Sequence, residues 1–98
     1  MARIELAPGT ADDFERIFEH IAALDPAGGR ERIEAIILAL GVLKSNPQIG
    51  RPAANHLREL MIGEGTRGYV ALYRYVPQLE TVFVLAIRSQ REAGYRRT

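Results

Sequence analysis

Cysteine is absent from the 98 residues, so neither a disulfide framework nor a cysteine-based zinc site is possible. Histidine is almost absent. His20 and His56 fall on different elements and cannot complete a metal site without carboxylate partners, so no metal and no other cofactor is expected. No apolar run approaches the roughly 20 residues needed to cross a bilayer. The opening "MARIELAPGT" has no apolar signal-peptide segment. A cytoplasmic protein with no membrane partner is the expectation.

What remains is an ordinary soluble composition, 47% hydrophobic and 26% charged, in a chain long enough for one core and one domain, residues 1–98. The net charge of +1 hides an asymmetry. Residues 1–50 carry five basic and eight acidic side chains, which is 5 − 8 = −3; residues 51–98 carry eight arginines and four glutamates, which is 8 − 4 = +4. A basic half can attract an acidic protein or a nucleic acid, although ordinary solvation produces such clusters too. The charge gathers at the end, in "IRSQREAGYRRT", where Arg88, Arg91, Arg96 and Arg97 follow an apolar run. Arg96 and Arg97 read as a solvated tail.

Patterning divides the chain into elements. "RIELA" (Arg3–Ala7) alternates and meets "PGT", a short strand and a turn. Thr10 can cap a helix with Asp12 and Asp13 in its first turn. Phe14, Ile17, Phe18, Ile21 and Leu24 follow one helical stripe. In "LDPAGG", Asp25 suits the N-cap and Pro26 the first position of a second helix. Its stripe is Ile33, Ile36, Ile37, Leu40 and Leu43, and "SNPQIGRP" then breaks the pattern. So short a connection predicts an antiparallel helical hairpin.

Three strand candidates follow, "LRELMIG" (Leu57–Gly63), "GYVALYRYV" (Gly68–Val76) and "TVFVLAIR" (Thr81–Arg88), joined by connections suited to antiparallel hairpins. The expected order is βααβββ: an α+β domain in which an N-terminal strand and a helical hairpin pack on an antiparallel sheet. Alternation puts Tyr69, Ala71, Tyr73 and Tyr75 on one face of the middle strand, with Val70, Leu72, Arg74 and Val76 on the other. On the last strand Phe83, Leu85 and Ile87 should oppose Val82, Val84, Ala86 and Arg88. Both faces are largely apolar. The helices can bury one, so the other is either covered by the chain ends or open to a partner.

"NPQIGRP", "LRELMIG" and "GYVALYRYVPQLETVFVLAIRSQREAGY" together resemble the RelE/ParE superfamily of bacterial toxins from type II toxin–antitoxin modules, which includes plasmid stabilisation proteins. The order of a strand, a helical hairpin, an I-G-R-P turn, an L-R-E-L strand, a Y-R-Y strand and a closing I-R-x-Q-R-E covers nearly the whole chain. The resemblance implies a cognate antitoxin partner that wraps an extended segment around the domain. Operator DNA would be reached only through that antitoxin. It also implies one of two targets: RelE-like members are ribosome-dependent mRNA endoribonucleases, or mRNA interferases, whereas ParE-like members inhibit DNA gyrase and are not nucleases.

Metal-free RNA cleavage needs a base, an acid and stabilisation of the phosphorane charge. Arginine suits only the last of these. "LRELMIGEGT" lacks the lysines that RelE-like enzymes carry near this strand, Val70 stands where they place an arginine, and Ser89 where many relatives have histidine. The remaining ribonuclease candidates are Arg91, Tyr95 and Arg74. For binding a target or an antitoxin, the candidates are Arg58, Arg74, Arg88, Arg91 and Tyr95. Plainer roles are available: Arg58 and Glu59 as cross-strand pairs, Arg74 with its stem along the sheet, and Tyr69, Tyr73 and Tyr75, which could stack on bases, as sheet packing. The expected function is therefore ParE-type inhibition of gyrase. RelE-type cleavage, or a remnant that only binds antitoxin and represses its operon, stand as alternatives.

Overall fold

The N-terminal strand does not lie beside its neighbours in sequence; it pairs with the last strand of the chain. In the computed structural model, which describes residues 1–95, β1 (Arg3–Leu6) is followed by α1 (Pro8–Leu24), α2 (Gly29–Leu40), β2 (Arg51–Pro52), β3 (Arg58–Ile62), β4 (Tyr69–Val76) and β5 (Thr81–Ser89). Arg96 and Arg97 lie outside the described residues. The five strands form one sheet in the order β1-β5-β4-β3-β2. β1 runs parallel to β5, and every other pairing is antiparallel. The helical hairpin packs on one face, so the α+β expectation holds, with one parallel edge strand. The I-G-R-P segment, expected as a turn, is in part the two-residue edge strand β2. Pro52 is tolerated there because an edge position needs no outward N–H.

The helix starts differ from the expected caps. α1 begins at Pro8, whose fixed φ suits the first turn, after an extended Ala7. Thr10 and Asp13 are therefore inside the helix and both are buried. The Thr10 hydroxyl donates to the Val84 carbonyl at 2.9 Å instead of capping its own helix. Asp25 closes α1 rather than opening α2: its N–H donates to the Ile21 carbonyl, and its carboxylate accepts the Gly28 N–H at 3.2 Å. Pro26 sits in the intervening turn and α2 starts at Gly29.

Ile17 and Ile21 from α1, Ile36 and Leu40 from α2, and Leu43 from the 3-10 turn after it meet Tyr69, Ala71, Tyr73, Val82, Val84 and Ile87 in the core. Phe14 and Ile33 are partly buried against it, while Phe18, Leu24 and Ile37 are exposed. Each helical stripe is thus wider than the surface that the sheet can cover.

One departure from strict alternation matters. Leu72 pairs with Ala86 and Tyr73 with Val84, so β5 carries an extra residue, Leu85, at a bulge. The bulge reverses side-chain parity beyond it, and Ile87 joins Val82 and Val84 in the core rather than Phe83 on the far face.

Candidate functional site

The far face of the sheet is assembled by register. Met61, Val70 and Arg88 lie side by side across β3, β4 and β5, as do Glu59, Leu72 and Ala86 in the next row and Arg74 and Phe83 beyond. Arg51 on β2 pairs with Glu59 and extends the second row to the edge. Val70 and Ala86 are buried although the helices are on the other side. The C-terminal segment reaches over this part of the face. The Tyr95 hydroxyl donates to Glu59 Oε2 at 2.6 Å, and the Arg88 guanidinium lies 5.1 Å from the Tyr95 ring centre. To reach β3 from the end of β5, the Tyr95 ring must cross β4 near Val70 and Leu72. That face was expected to be either covered by a chain end or open, and it is both: capped at one end and exposed at Arg74 and Met61.

The electrostatics of this cap are directional. The hydrogen bond from Tyr95 holds the Glu59 carboxylate below its ordinary range against the opposing effect of burial, and Arg51 adds to it through an ion pair at 3.1 Å. Burial and then the Glu59 hydrogen bond push the Tyr95 phenol far above its ordinary value. At neutral pH the pair is fixed as phenol and carboxylate. Arg88 is held by the carbonyls of Ser89 and Glu92 at 3.2 and 3.1 Å, and its buried Nε has no acceptor among the described residues.

The five nominated residues do not form one cluster. Arg88 and Tyr95 come together, with Arg74 exposed on the same face. Arg58 points to the helix side, opposite Tyr73, and donates to the Gly50 carbonyl at 2.7 Å. The same glycine donates its N–H to the buried Tyr73 hydroxyl at 2.9 Å, so Arg58 and Tyr73 jointly fix the I-G-R-P segment. Arg91 lies elsewhere again, on an open groove of about 900 Å³ between α1 and the end of the sheet, beside Arg16, Arg32 and Arg67 and above Ile21 and Tyr69.

Four residues organise this region: sequence reasoning gave Arg16 and Glu92 no role, and read Asp13 only as a helix-start carboxylate and Glu59 only as a cross-strand partner. Asp13 Oδ2 accepts the Ile87 N–H at 2.9 Å, and its Oδ1 accepts from Arg16 at 2.8 Å. Arg16 Nη2 reaches the Ile87 carbonyl at 3.3 Å and both carboxylate oxygens of Glu92 at 3.0 and 3.1 Å. Burial works against the Arg16 charge, but its hydrogen bonds to Asp13 and Glu92 outweigh this and its pKa is raised. The only local signal was spacing. Thr10, Asp13 and Arg16 recur every third residue on the side of α1 that the apolar stripe continues.

A family model described as the ParE toxin of the type II toxin-antitoxin system, parDE, matches residues 4–94. Toxin RelE3 of Caulobacter vibrioides is 27% identical over 92 residues, which are 94% of this chain and 98% of that protein. Among solved structures, the chromosomal ParDE system of P. aeruginosa superposes with a TM-score of 0.78 at 20% identity, covering 91% of this chain and 96% of that one. The intact E. coli RelBE toxin-antitoxin complex gives 0.64 at 13% identity, covering 94% and 100%. The fold and the matched length define a toxin of the RelE/ParE superfamily. Within it, the chain belongs to the ParE toxin family of type II toxin-antitoxin systems.

Proposed function

We propose that this toxin acts by binding, in the ParE manner, as an inhibitor of DNA gyrase that does not cleave RNA. Its target surface is the far face of the sheet, with Arg74, Arg88 and Tyr95 as the contacts. The hydrogen bond from Tyr95 to Glu59 carries this reading. A phenol serving as acid or base needs a pKa near the working pH, and this one is displaced upward by burial and by the carboxylate it donates to. Arginine cannot supply the missing proton transfer. A surface that sets the held guanidinium of Arg88 and the exposed one of Arg74 beside Leu72, Phe83 and Met61 suits an acidic and partly apolar protein partner instead.

A cognate antitoxin neutralises the toxin in the cytoplasm and brings it to operator DNA. The solved neighbours are themselves toxin-antitoxin systems by title, which supports such a partner. RelE-type cleavage of ribosome-bound mRNA is the second reading. It is favoured by the relative named toxin RelE3 and by the meeting of Arg88 and Tyr95 on one face. Purified toxin should abolish gyrase supercoiling and leave ribosome-bound mRNA intact. Ribosome-dependent cleavage would replace the proposal with the second reading. Silence in both assays would leave antitoxin binding and operon repression as the whole function.

A further inference from the structure

Beyond Ser89 the chain leaves the sheet, yet its next residues present Arg88 and Tyr95 to the far face. Glu92 grips this segment between two other anchors, the Gln90 N–H on the Gly68 carbonyl at 2.9 Å and the Tyr95 hydroxyl on Glu59. The Glu92 backbone N–H donates to the Ser89 carbonyl at 3.1 Å, and its carboxylate accepts the Ser89 N–H at 3.3 Å, closing a tight turn. Its own carbonyl accepts from Arg88 at 3.1 Å. Both carboxylate oxygens meet Arg16 on α1, and Arg16 is itself immobilised by the buried Asp13 and by the Ile87 carbonyl. One side chain therefore ties the turn to the helix while its backbone holds the arginine that lies over Tyr95.

Charge-assisted bonds of this kind are roughly twice as strong as neutral ones, and a multiply held guanidinium offers little freedom to the group it grips. We propose that Glu92 and Arg16 are positioning residues: their ion pair sets the path of residues 89–95 so that Arg88 and Tyr95 stand in the geometry the target recognises. Neither needs to touch the target. This inference rests on the reading of the far face as the target surface.

The pair also explains why Arg91 and Arg88, three residues apart, serve opposite sides of the sheet. With Glu92 held to α1, the turn directs Arg91 into the groove and carries the chain back over β4 towards Glu59.

The test uses Glu92→Ala, with two partial variants: Glu92→Gln, which keeps one acceptor oxygen but loses the charge that meets Arg16, and Arg16→Lys, which keeps the charge but cannot reach Asp13, Ile87 and Glu92 together. Folded proteins are treated with tetranitromethane, which nitrates accessible tyrosine, and each tyrosine is followed by peptide mass spectrometry. Growth arrest is scored in parallel at equal protein levels. In Glu92→Ala, nitration of Tyr95 should rise about tenfold, the factor expected from losing roughly one charge-assisted hydrogen bond holding a local opening closed. The buried Tyr69 and Tyr73 should stay protected, and arrest should be lost. Glu92→Gln and Arg16→Lys should each raise Tyr95 nitration by less than Glu92→Ala does, and weaken arrest in the same order.

Unchanged Tyr95 nitration would overturn the proposal. So would a rise shared by Tyr73, which would mean general unfolding, or Tyr95 release with arrest intact. A wild-type chain that fails to arrest growth would instead count against the functional reading, while the nitration pattern would still report on the ion pair.

Discussion

Asp13 on α1 accepts the main-chain N–H of Ile87 at 2.9 Å across 74 residues of sequence, and both groups are buried. The bulge at Leu85 turns Ile87 into the core, and the helix answers with a carboxylate where a sheet partner would otherwise stand. Thr10 and Arg16 do the same for the carbonyls of Val84 and Ile87. Asp13→Ala leaves a buried N–H without its acceptor and removes one carboxylate from Arg16. It should cost about 2–4 kcal/mol, since an unsatisfied buried group and a broken buried ion pair are both expensive. Asp13→Asn keeps an acceptor for Ile87 and should lose less. Urea unfolding of the two variants checks the order.

Gly50 is required by a close approach. A Cβ there would stand 2.7 Å from the Tyr73 ring and hydroxyl and 2.8 Å from the Glu59 carbonyl oxygen, too near for a side chain to be accommodated without movement. Gly50→Ala should destabilise by about 1–3 kcal/mol, the usual range for overpacking. Tyr73→Phe removes the acceptor of the Gly50 N–H and should cost about 1–3 kcal/mol as a buried unmet donor. Thermal melts measured for each variant would show both losses, and they should not add, because the two residues share one hydrogen bond.

The Tyr95–Glu59 bond makes stability depend on pH at both ends. Glu59 is depressed in the folded chain, so its contribution is present above the ordinary glutamate value of 4.5 and is lost as pH falls through the lower folded value. Tyr95 is raised, so its contribution is present below the ordinary tyrosine value of 10.0 and is lost as pH climbs through the higher folded value. Tyr95→Phe should therefore be less stable than wild type by about 1–2 kcal/mol at neutral pH, and the gap should narrow in acid. Chemical unfolding of both proteins from neutral to acid pH tests it.

Separation of the arginines onto two surfaces predicts separable effects in cells. Arg88→Ala and Arg74→Ala should each relieve growth arrest, whereas Arg91→Ala, in the groove, should retain it. Arrest measured at matched expression decides the matter. Relief by Arg91→Ala but not by Arg88→Ala would move the target surface to the groove.

Much of the architecture was legible because it depends on local chemistry. The spacing of Ile17 and Ile21 or of Ile36 and Leu40 marks a helix wherever the chain goes, and "GYVALYRYV" alternates as a half-buried strand must. Arg88 and Tyr95 stood out on charge and position, and the structure places them together. The caps were misread for a physical reason. The Thr10 hydroxyl can accept from an N–H or donate to a carbonyl, and packing against β5 gives it the Val84 carbonyl; the Asp25 carboxylate only accepts, and it takes the Gly28 N–H within its own turn.

By itself the sequence determined the inventory: two amphipathic helices, a set of apolar strands, no thiol chemistry, and an arginine-rich C-terminal half. Only the tertiary structure decided where that inventory points. The extra residue at Leu85 reverses the parity of β5, the parallel docking of β1 puts β5 inside the sheet and makes β1 its edge, and the grip of Arg16 on Glu92 sends Arg91 one way and Tyr95 the other. Each of these rests on contacts between residues distant in the chain, whose geometry no local pattern of polarity encodes.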